Sequence, residues 1–555
     1  MDFVETEVVI VGAGPAGMML AIELGCRDIS CVLLEEDIAP PGVPKANATS
    51  ARTMEHYRRR GFSQQVRESA LPGDHPQDVA YVTRMLGREI ARMKLSSGDA
   101  IREGRVGDYG VENWPTPEMP HRGQQLFIEP ILLEQVRRYR SVRILEGVRG
   151  DAIRDAGTHV EVDAQSVVSG APVSIRAKYV VGCDAGRSIV RRAMQAGYEG
   201  RGNEDREFFG GQMLTIYFRA PSLYRRMEEK GIGRAWQWWI SNPERRGVFV
   251  AVNGIDTFVT AVQLREGQTA DDVDIPAVLS TLVGEPIAAD PDYELITTAK
   301  WTAGYMLVAE KFSAGRLFIV GDAAHLFTPT AGMGYNTSVD DAVNLGWKLA
   351  AVIGGWAGED LLASYEAERR PIAVRNTQFA RAMADSMGRL SPPADIEAGG
   401  EPGDAARQAF GARCLAHVRT EFNIPGLQLG LRYTSAVIAQ DNAPPPPDEP
   451  NRYVPSGYPG ARAPHVLLDG GDSILDRFGR DFTLLCLDDA STAGWESAAA
   501  ALGMPLAVMR LSNADARWLY GADCVLVRPD HHVAWRGGAG AEPSAVLARA
   551  VARVQ

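Results

Sequence analysis

Basic charge is in short supply. Lysine and arginine number 58 against 70 aspartates and glutamates, leaving a net charge of −12. That balance excludes a general nucleic-acid binder, whose surface must be basic, and a polybasic membrane anchor. Cysteine is scarcer still, with six in 555 residues: Cys26, Cys31, Cys183, Cys414, Cys486 and Cys524. Six are too few for a disulfide scaffold. No two are spaced Cys-x-x-Cys, so neither a zinc ribbon nor a dithiol redox centre is indicated, and no metal site is expected. Long apolar runs are missing too. The uncharged stretch 8–22 has 15 residues, short of the roughly 20 that a spanning helix needs. The acidic start Met1-Asp2-Phe3-Val4-Glu5 does not read as a signal peptide. A reducing, cytoplasmic location is expected.

What the chain does contain begins with a β-branched run at 4–11 that ends in glycine. A helical stretch at 15–25 and a second strand at 29–35 follow. Together they make one βαβ unit in about 35 residues. Residues 52–60 read as a polar-faced helix. Runs rich in Val, Ile, Phe and Trp at 211–220, 234–241, 246–253 and 257–264 predict an antiparallel sheet. A buried strand at 315–321 precedes a long helical pattern at 336–354. Residues 391–406 and the proline-dense 441–464 read as loose, linker-like or wrapped segments. Strands return at 481–487 and 523–528 among Ala-rich helices.

Two segments carry chemistry. Gly12-x-Gly14-x-x-Gly17 lies between the first strand and helix. Gly12 permits the tight turn, Gly14 lets backbone approach a pyrophosphate, and Gly17 lets helix and strand pack closely. The helix N-terminus, with Pro15 and Ala16, offers free N–H groups to phosphate. Glu35 ends the second strand 23 residues after Gly12, where a carboxylate suits a ribose hydroxyl. This motif predicts a dinucleotide and leaves NAD and FAD both open. The second segment, 315–337, delivers Gly321-Asp322 at the end of a strand, followed by a Pro/Gly loop and a helix. An Asp there can accept hydrogen bonds from a polyol. Bare backbone at Gly332 and Gly334 can stabilise negative charge. An N-capping Asp before a glycine-rich loop accounts for the same residues.

Together with a third stretch, Tyr179-Val-Val-Gly-Cys-Asp-Ala-Gly-Arg-Ser-Ile-Val-Arg-Arg at 179–192, these segments resemble the class A FAD-dependent aromatic hydroxylases, relatives of p-hydroxybenzoate hydroxylase and phenol hydroxylase. Asp184 and Gly186 match that family's Asp-Gly motif, with Ala185 between them. The resemblance covers about residues 4–385. Residues 455–555 resemble the thioredoxin-like domain of the phenol hydroxylase branch, through Gly460-Ala-Arg-Ala-Pro-His465, Asp472-Ser-Ile-Leu-Asp476 and Val527-Arg-Pro-Asp530.

The resemblance implies an α/β fold. A Rossmann-like FAD-binding domain (1–75, 121–198 and 300–390) would hold an inserted substrate domain with an antiparallel sheet (76–120 and 199–299). A helical, proline-rich linker (391–454) and a thioredoxin-like domain without Cys-x-x-Cys (455–555) would follow. The tail is then structural support or an oligomer contact, which leaves a homodimer open. Lys45 and Arg52 fall near the FAD phosphates, and Lys45 stands where the family has an arginine. Gln125 matches a flavin-contacting glutamine, Asp322 the ribityl-binding aspartate, and Pro329 a residue beside the isoalloxazine. Gly332, Met333, Gly334, Tyr335 and Asn336 match the loop and helix start at the flavin pyrimidine. Asn47 falls where phenol hydroxylases carry an aspartate facing the substrate hydroxyl; an amide is not a base. His325 reads either as a proton relay or as a structural hydrogen-bond partner.

The implied reaction uses NADPH or NADH as transient electron donor and O2 as oxidant. A flavin C4a-hydroperoxide on tightly but non-covalently bound FAD hydroxylates a phenol or other electron-rich ring in a single-component monooxygenase. The lone glycine fingerprint fits a nicotinamide bound without its own Rossmann domain. Trp236 and Trp238, two residues apart on a strand, are candidates to sandwich a flat substrate, or else form a plain aromatic core. The same run, Trp236-x-Trp238-x-Ile240, matches a flavin-dependent halogenase signature up to its last position, where Ser241 replaces proline. Halogenation is therefore the alternative reading. A non-catalytic binding protein on the same fold is the other.

Overall fold

The first βαβ unit forms because its strands are apolar on both faces, as strands between helix layers must be. Val8, Val9 and Ile10 of β1 (Asp2–Val11) are fully buried. α1 (Pro15–Gly25) returns the chain to β2 (Cys31–Glu35), which pairs with β1 in parallel. This computed structural model describes residues 2–38, 42–69, 71–105, 107–110, 113–202, 210–488, 490–538 and 540–553. The sheet order is Ser313–Ala314, Leu317–Ile319, Pro172–Gly182, β1, β2 and Val142–Glu146. All pairings are parallel except that of the Ser313–Ala314 edge. The strands Val148–Asp155 and Val160–Ser166 form a hairpin joined to Pro172–Gly182. Helix Met333–Ile353 crosses α1 closely: a Cβ on Gly346 would stand 2.6 Å from the Glu23 Cβ.

A second sheet of seven strands runs Glu294–Ala303, Gly211–Arg219, Thr257–Gln263, Arg246–Ala251, Gln237–Ser241, Val79–Val82 and Glu89–Met93. The four apolar runs predicted from the sequence supply its centre. It is antiparallel except that Gln237–Ser241 and Val79–Val82 run parallel.

Two local expectations change. Residues 391–406 are not loose throughout: a helix spans Gly400–Phe422. Its Pro402 falls in the first turn, where a missing N–H removes no helical bond. At Gly403 a side chain would strike the Ala398 carbonyl at 1.9 Å. Phe410, Cys414, Val418 and Phe422 of this helix are buried in the core of the seven-stranded sheet. The helix predicted at 52–60 forms as α2 (Ala51–Arg59), but 51–57 are all buried, polar residues included. The C-terminal region covers it. Arg58 pairs with Asp476, Arg59 donates to the Pro529 carbonyl, and Glu55 accepts from Arg462.

That region has a β-α-β unit, Phe482–Leu487 and Leu506–Leu511 in parallel about helix Trp495–Leu502. An antiparallel pair, Cys524–Val527 and Val533–Gly537, and helix Pro543–Ala550 complete it. This is the thioredoxin-like order that the sequence implies. All six cysteines are free thiols. Cys486 and Cys524 face one another across adjacent strands with sulfurs 3.6 Å apart. No helix among the described residues is long and apolar enough to cross a membrane.

Buried charge joins the C-terminal region to the rest. Glu368, on helix Ala363–Gly388, accepts from both Arg528 nitrogens at 2.8 and 2.9 Å, from Lys348 at 2.7 Å and from Ser435 at 2.7 Å. Burial alone would raise the Glu368 carboxyl, but Arg528 and Lys348 outweigh it and hold it well below the ordinary range. Burial brings the Lys348 ammonium down to about 8 against the pull of Glu368. Removing one partner strands the others in a medium of low dielectric, at a cost of about 3–5 kcal/mol. Glu368→Ala should therefore lower the unfolding midpoint of the whole chain in urea. An unchanged midpoint would show that the contact contributes nothing to docking of the C-terminal region.

Candidate functional site

The cleft opens at the carboxyl ends of the parallel strands, where ligands bind in open α/β sheets. Gly12 sits at φ +100 with the Cys183 carbonyl 2.5 Å from where its Cβ would be, and a Cβ on Gly17 would lie 2.0 Å from the Gly12 carbonyl oxygen. Both positions exclude any side chain. Gly14 differs: no protein atom lies within 4 Å of its Cβ position. Its bare backbone fronts the N-terminus of α1, with Pro15 in the first turn and Ala16 buried behind it. Glu35 turns back to this loop and accepts from the Ala13 N–H at 2.7 Å.

Gly321 and Asp322 lie opposite. Gly321 takes a left-handed turn at φ +65, and Tyr198 holds the Asp322 carbonyl at 2.8 Å. The Asp322 side chain is solvent-accessible yet ringed by protein. That crowding raises its carboxyl above the ordinary range, against the opposite pull of His325 and Lys45. Asp184 accepts from the Ile189 N–H at 2.6 Å, and burial raises it too. Its other oxygen is buried without a hydrogen-bond partner. Glu129, reached by the Gln125 amide at 2.6 Å, is likewise raised by burial, with Lys45 opposing and Glu35 adding to the shift. Carboxyls raised by burial near one bare helix N-terminus make this a candidate site.

The loop 327–334 and the segment 45–51 are tied together. Asn336 donates to the Ala48 carbonyl at 3.0 Å and the Gly332 carbonyl at 2.6 Å, and accepts from the Ser50 N–H at 2.7 Å. Gly332 is left-handed at φ +62, and a Cβ there would meet the Ala48 Cβ at 3.1 Å. Gln125 enters the same junction, since its N–H donates to the Ala46 carbonyl at 2.7 Å. Lys45 and Pro329 are exposed, Asn47 half-buried. Gly334 is open on its Cβ side except for Phe327, 3.6 Å away, and Gly186 lies against Leu326. The Met333 side chain packs with Ala380, Met383 and Leu427, so only its backbone faces the cleft. The Tyr335 hydroxyl bonds that of Tyr57.

The structure does not bring every candidate to the cleft. The Arg52 guanidinium pairs with Glu55 and donates to the Asp530 carbonyl, at the C-terminal interface. His325 is fully buried, with Nε2 2.6 Å from Asp341 Oδ2. Trp236 and Trp238 are buried apart. Trp236 carries the Arg122 guanidinium over its ring at 4.4 Å and Phe422 edge-on at 5.6 Å. Trp238 packs with Tyr224 and Phe258. The strand starts at Gln237, so the two-residue alternation groups Gln237 with Trp239. Trp239 stacks on Tyr81 at 6.4 Å and 21°. Tyr81, Gln237 and Trp239 were not anticipated; the phase of the strand was the signal for them. Asp341 was also missed. It accepts from the Gly321 N–H, His325 and Arg369, and Arg369 bonds the Tyr433 hydroxyl at 3.0 Å.

A glycine turn before a bare helix N-terminus, a strand-end acid, and a second strand-end Asp beside another helix N-terminus suit a dinucleotide with a polyol arm, the class of site a flavoprotein carries. Comparison with known proteins narrows this. Residues 5–380 match the family model described as FAD binding domain, and residues 456–555 match that described as aromatic-ring hydroxylase, C-terminal. The chain is 31% identical to aklavinone 12-hydroxylase RdmE of Streptomyces purpurascens, over 99% of this chain and 98% of that one. It is 29% identical to the FAD-dependent monooxygenase apdD of Emericella nidulans, over 96% and 87%. The rebeccamycin biosynthetic enzyme RebC with reduced flavin superposes with a TM-score of 0.88 at 31% identity, with all of both chains covered. The chain belongs to the FAD-dependent aromatic-ring hydroxylases, and is a monooxygenase by family.

Gly14→Ala separates folding from cofactor binding. Its methyl group meets no protein atom but stands where the backbone must approach a pyrophosphate. Apoprotein stability should be unchanged, while FAD affinity falls by about tenfold or more. Titration of apoprotein with FAD, followed by flavin fluorescence, measures this. Asp322→Ala should weaken FAD in the same assay, and wild-type affinity in either variant would contradict the assignment.

Proposed function

We propose that this protein hydroxylates a phenolic or other electron-rich aromatic substrate, with NADPH or NADH as electron donor and O2 as the source of oxygen. One observation carries the reading: Tyr81, Gln237 and Trp239 share one face of the second sheet, and Tyr81 lies near Glu421, which accepts from the Ala331 N–H of the cleft loop. There the Tyr81 hydroxyl and the Gln237 carbonyl oxygen are buried without hydrogen-bond partners. Polar atoms on an aromatic wall fit a flat, hydroxyl-bearing ring better than an aliphatic one. The hydroxylation of aklavinone named for a relative supports the same class.

FAD, when bound, supplies the electron storage and oxygen activation that no side chain provides. The chain's own groups do the rest. Asp322 and Lys45 would hold the polyol and phosphate arm. The backbone at Gly332 to Gly334 and the N-terminus of helix Met333–Ile353 would offer positive potential to an anionic reduced ring system. Asn336 fixes that loop to segment 45–51. Asn47 can hydrogen-bond a substrate hydroxyl but cannot take its proton, so its role is orientation. The aromatic face of the sheet excludes water.

The purified protein should be yellow and should oxidise NAD(P)H faster when a phenol is added. A panel running from a simple phenol to a hydroxylated polycycle, incubated under labelled oxygen, should give one product carrying a single labelled oxygen atom. Inclusion of bromide should change nothing. A brominated product would establish halogenation instead, and protein that stays colourless after incubation with FAD would favour a non-catalytic role.

A further inference from the structure

The cleft loop carries a conformation that its own sequence does not favour. Ala331 sits at φ +56, immediately before left-handed Gly332. A residue with a Cβ rarely takes this conformation unless its surroundings enforce it. The surroundings are specific. The Ala331 N–H donates to Glu421 Oε1 at 2.8 Å, and Thr330 donates its hydroxyl proton to the Ala380 carbonyl. Glu421 is 2% exposed and lies on helix Gly400–Phe422. One helical turn earlier, His417 places Nε2 3.0 Å from Glu421 Oε2, while its Nδ1 lies 3.0 Å from the Ser386 hydroxyl on helix Ala363–Gly388. A carboxylate buried this deeply is costly unless it is hydrogen-bonded or paired; here Oε1 takes the loop's N–H, while Oε2 makes no hydrogen bond and has only the close approach of His417, whose other nitrogen meets a second helix. The sheet closes the other side: Tyr81 lies near enough for Glu421 to act on its phenol, which burial, Cys414 and Glu421 hold well above the usual range.

We propose that Glu421, oriented by His417, is a positioning residue that enforces the left-handed Ala331–Gly332 turn and so sets the surface this loop presents to the flavin pyrimidine. Helix Gly400–Phe422 thereby joins the substrate sheet to the cofactor loop through one hydrogen bond. The inference rests on the reading of loop 329–334 as flavin-facing.

The test uses the full-length protein, stripped of FAD and titrated back. Readouts are the FAD dissociation constant and the shape of the flavin visible absorption bands. Glu421→Leu should weaken FAD by about tenfold and blur the bands. Glu421→Gln, which keeps an acceptor for the Ala331 N–H, should stay within about threefold of wild type. The decisive arm adds Ala331→Gly, because glycine adopts the turn without being held there. The double variant Ala331→Gly/Glu421→Leu should recover most of the lost affinity. Loss of ordinary helix packing would not be repaired by a glycine in a different segment. Should Glu421→Leu not fold, Glu421→Asp, which keeps the charge but withdraws the acceptor, carries the same expectation. Wild-type FAD affinity in Glu421→Leu, or no recovery in the double variant, overturns the proposal. Failure of wild-type apoprotein to take up FAD would instead overturn the flavin-facing reading itself.

Discussion

Asp341 is the point on which the site depends. It is fully buried near the middle of helix Met333–Ile353, and its two oxygens accept from the Gly321 backbone, His325 and Arg369. Burial opposes its charge, but Arg369 and His325 outweigh burial and hold its carboxyl below the ordinary range. An ionised carboxylate in such a place is tolerated only with this many donors. Their arrangement fixes the backbone turn that presents Asp322 to the cleft. His325 is therefore best understood through Asp341. Its Nε2 is committed to that carboxylate, and its buried Nδ1 has no hydrogen-bond partner. The imidazole thus supports the Gly321–His325 turn from behind.

From Asp341 the chain of contacts continues to the C-terminal region. Arg369 reaches Tyr433, and Tyr433 stacks on His532 at 4.1 Å. Arg528 lies over both Trp347 and Tyr433 while it pairs with Glu368 and Asp530. This interface is charged where most domain cores are apolar. Ion pairs this buried add little net stability over an apolar equivalent, but breaking one is expensive, so they select a single docked arrangement. A thioredoxin-like unit with no Cys-x-x-Cys, whose one close cysteine pair is buried between strands, is suited to that role. Burial pushes the Cys486 thiol up to about 12, away from the thiolate that redox exchange requires.

How much of this was legible in the sequence follows from how local each cause is. The glycine cradle was legible because Gly12 and Gly17 answer contacts within the βαβ unit or at the adjoining strand end, and Gly14 leaves the helix N-terminus bare. The apolar runs of the second sheet were legible because alternation and turn residues mark strands directly. The facing of the tryptophans was not, because alternation groups residues two apart without saying which neighbours each face meets. Arg52 was misplaced for a different reason. Its partner carbonyl belongs to Asp530, 478 residues away, and no local pattern records such a partner. Helix Gly400–Phe422 was hidden by its own start, where Gly399, Gly400, Pro402 and Gly403 read as a break. The fold absorbs them into the cap and first turn.

The strained positions show what holds these distant segments to one geometry. Ala185 in the Asp-Ala-Gly motif, Ala331 in the cleft loop and His531 beside Asp530 all take left-handed backbone conformations with a Cβ present. Two of these lie in segments held by a partner remote in sequence: Ala331 through Glu421, and the His531 turn through Arg52 and Trp347 bonding to Asp530. Local preference would relax each turn toward an ordinary conformation, at a gain of about 1–2 kcal/mol. The turns persist because relaxing any one would unpair a buried donor or acceptor elsewhere, which costs a similar amount or more. Cleft, sheet and C-terminal region are thus coupled by matched penalties. The geometry around Asp322 is a property of the assembled chain rather than of its glycine-rich motifs alone.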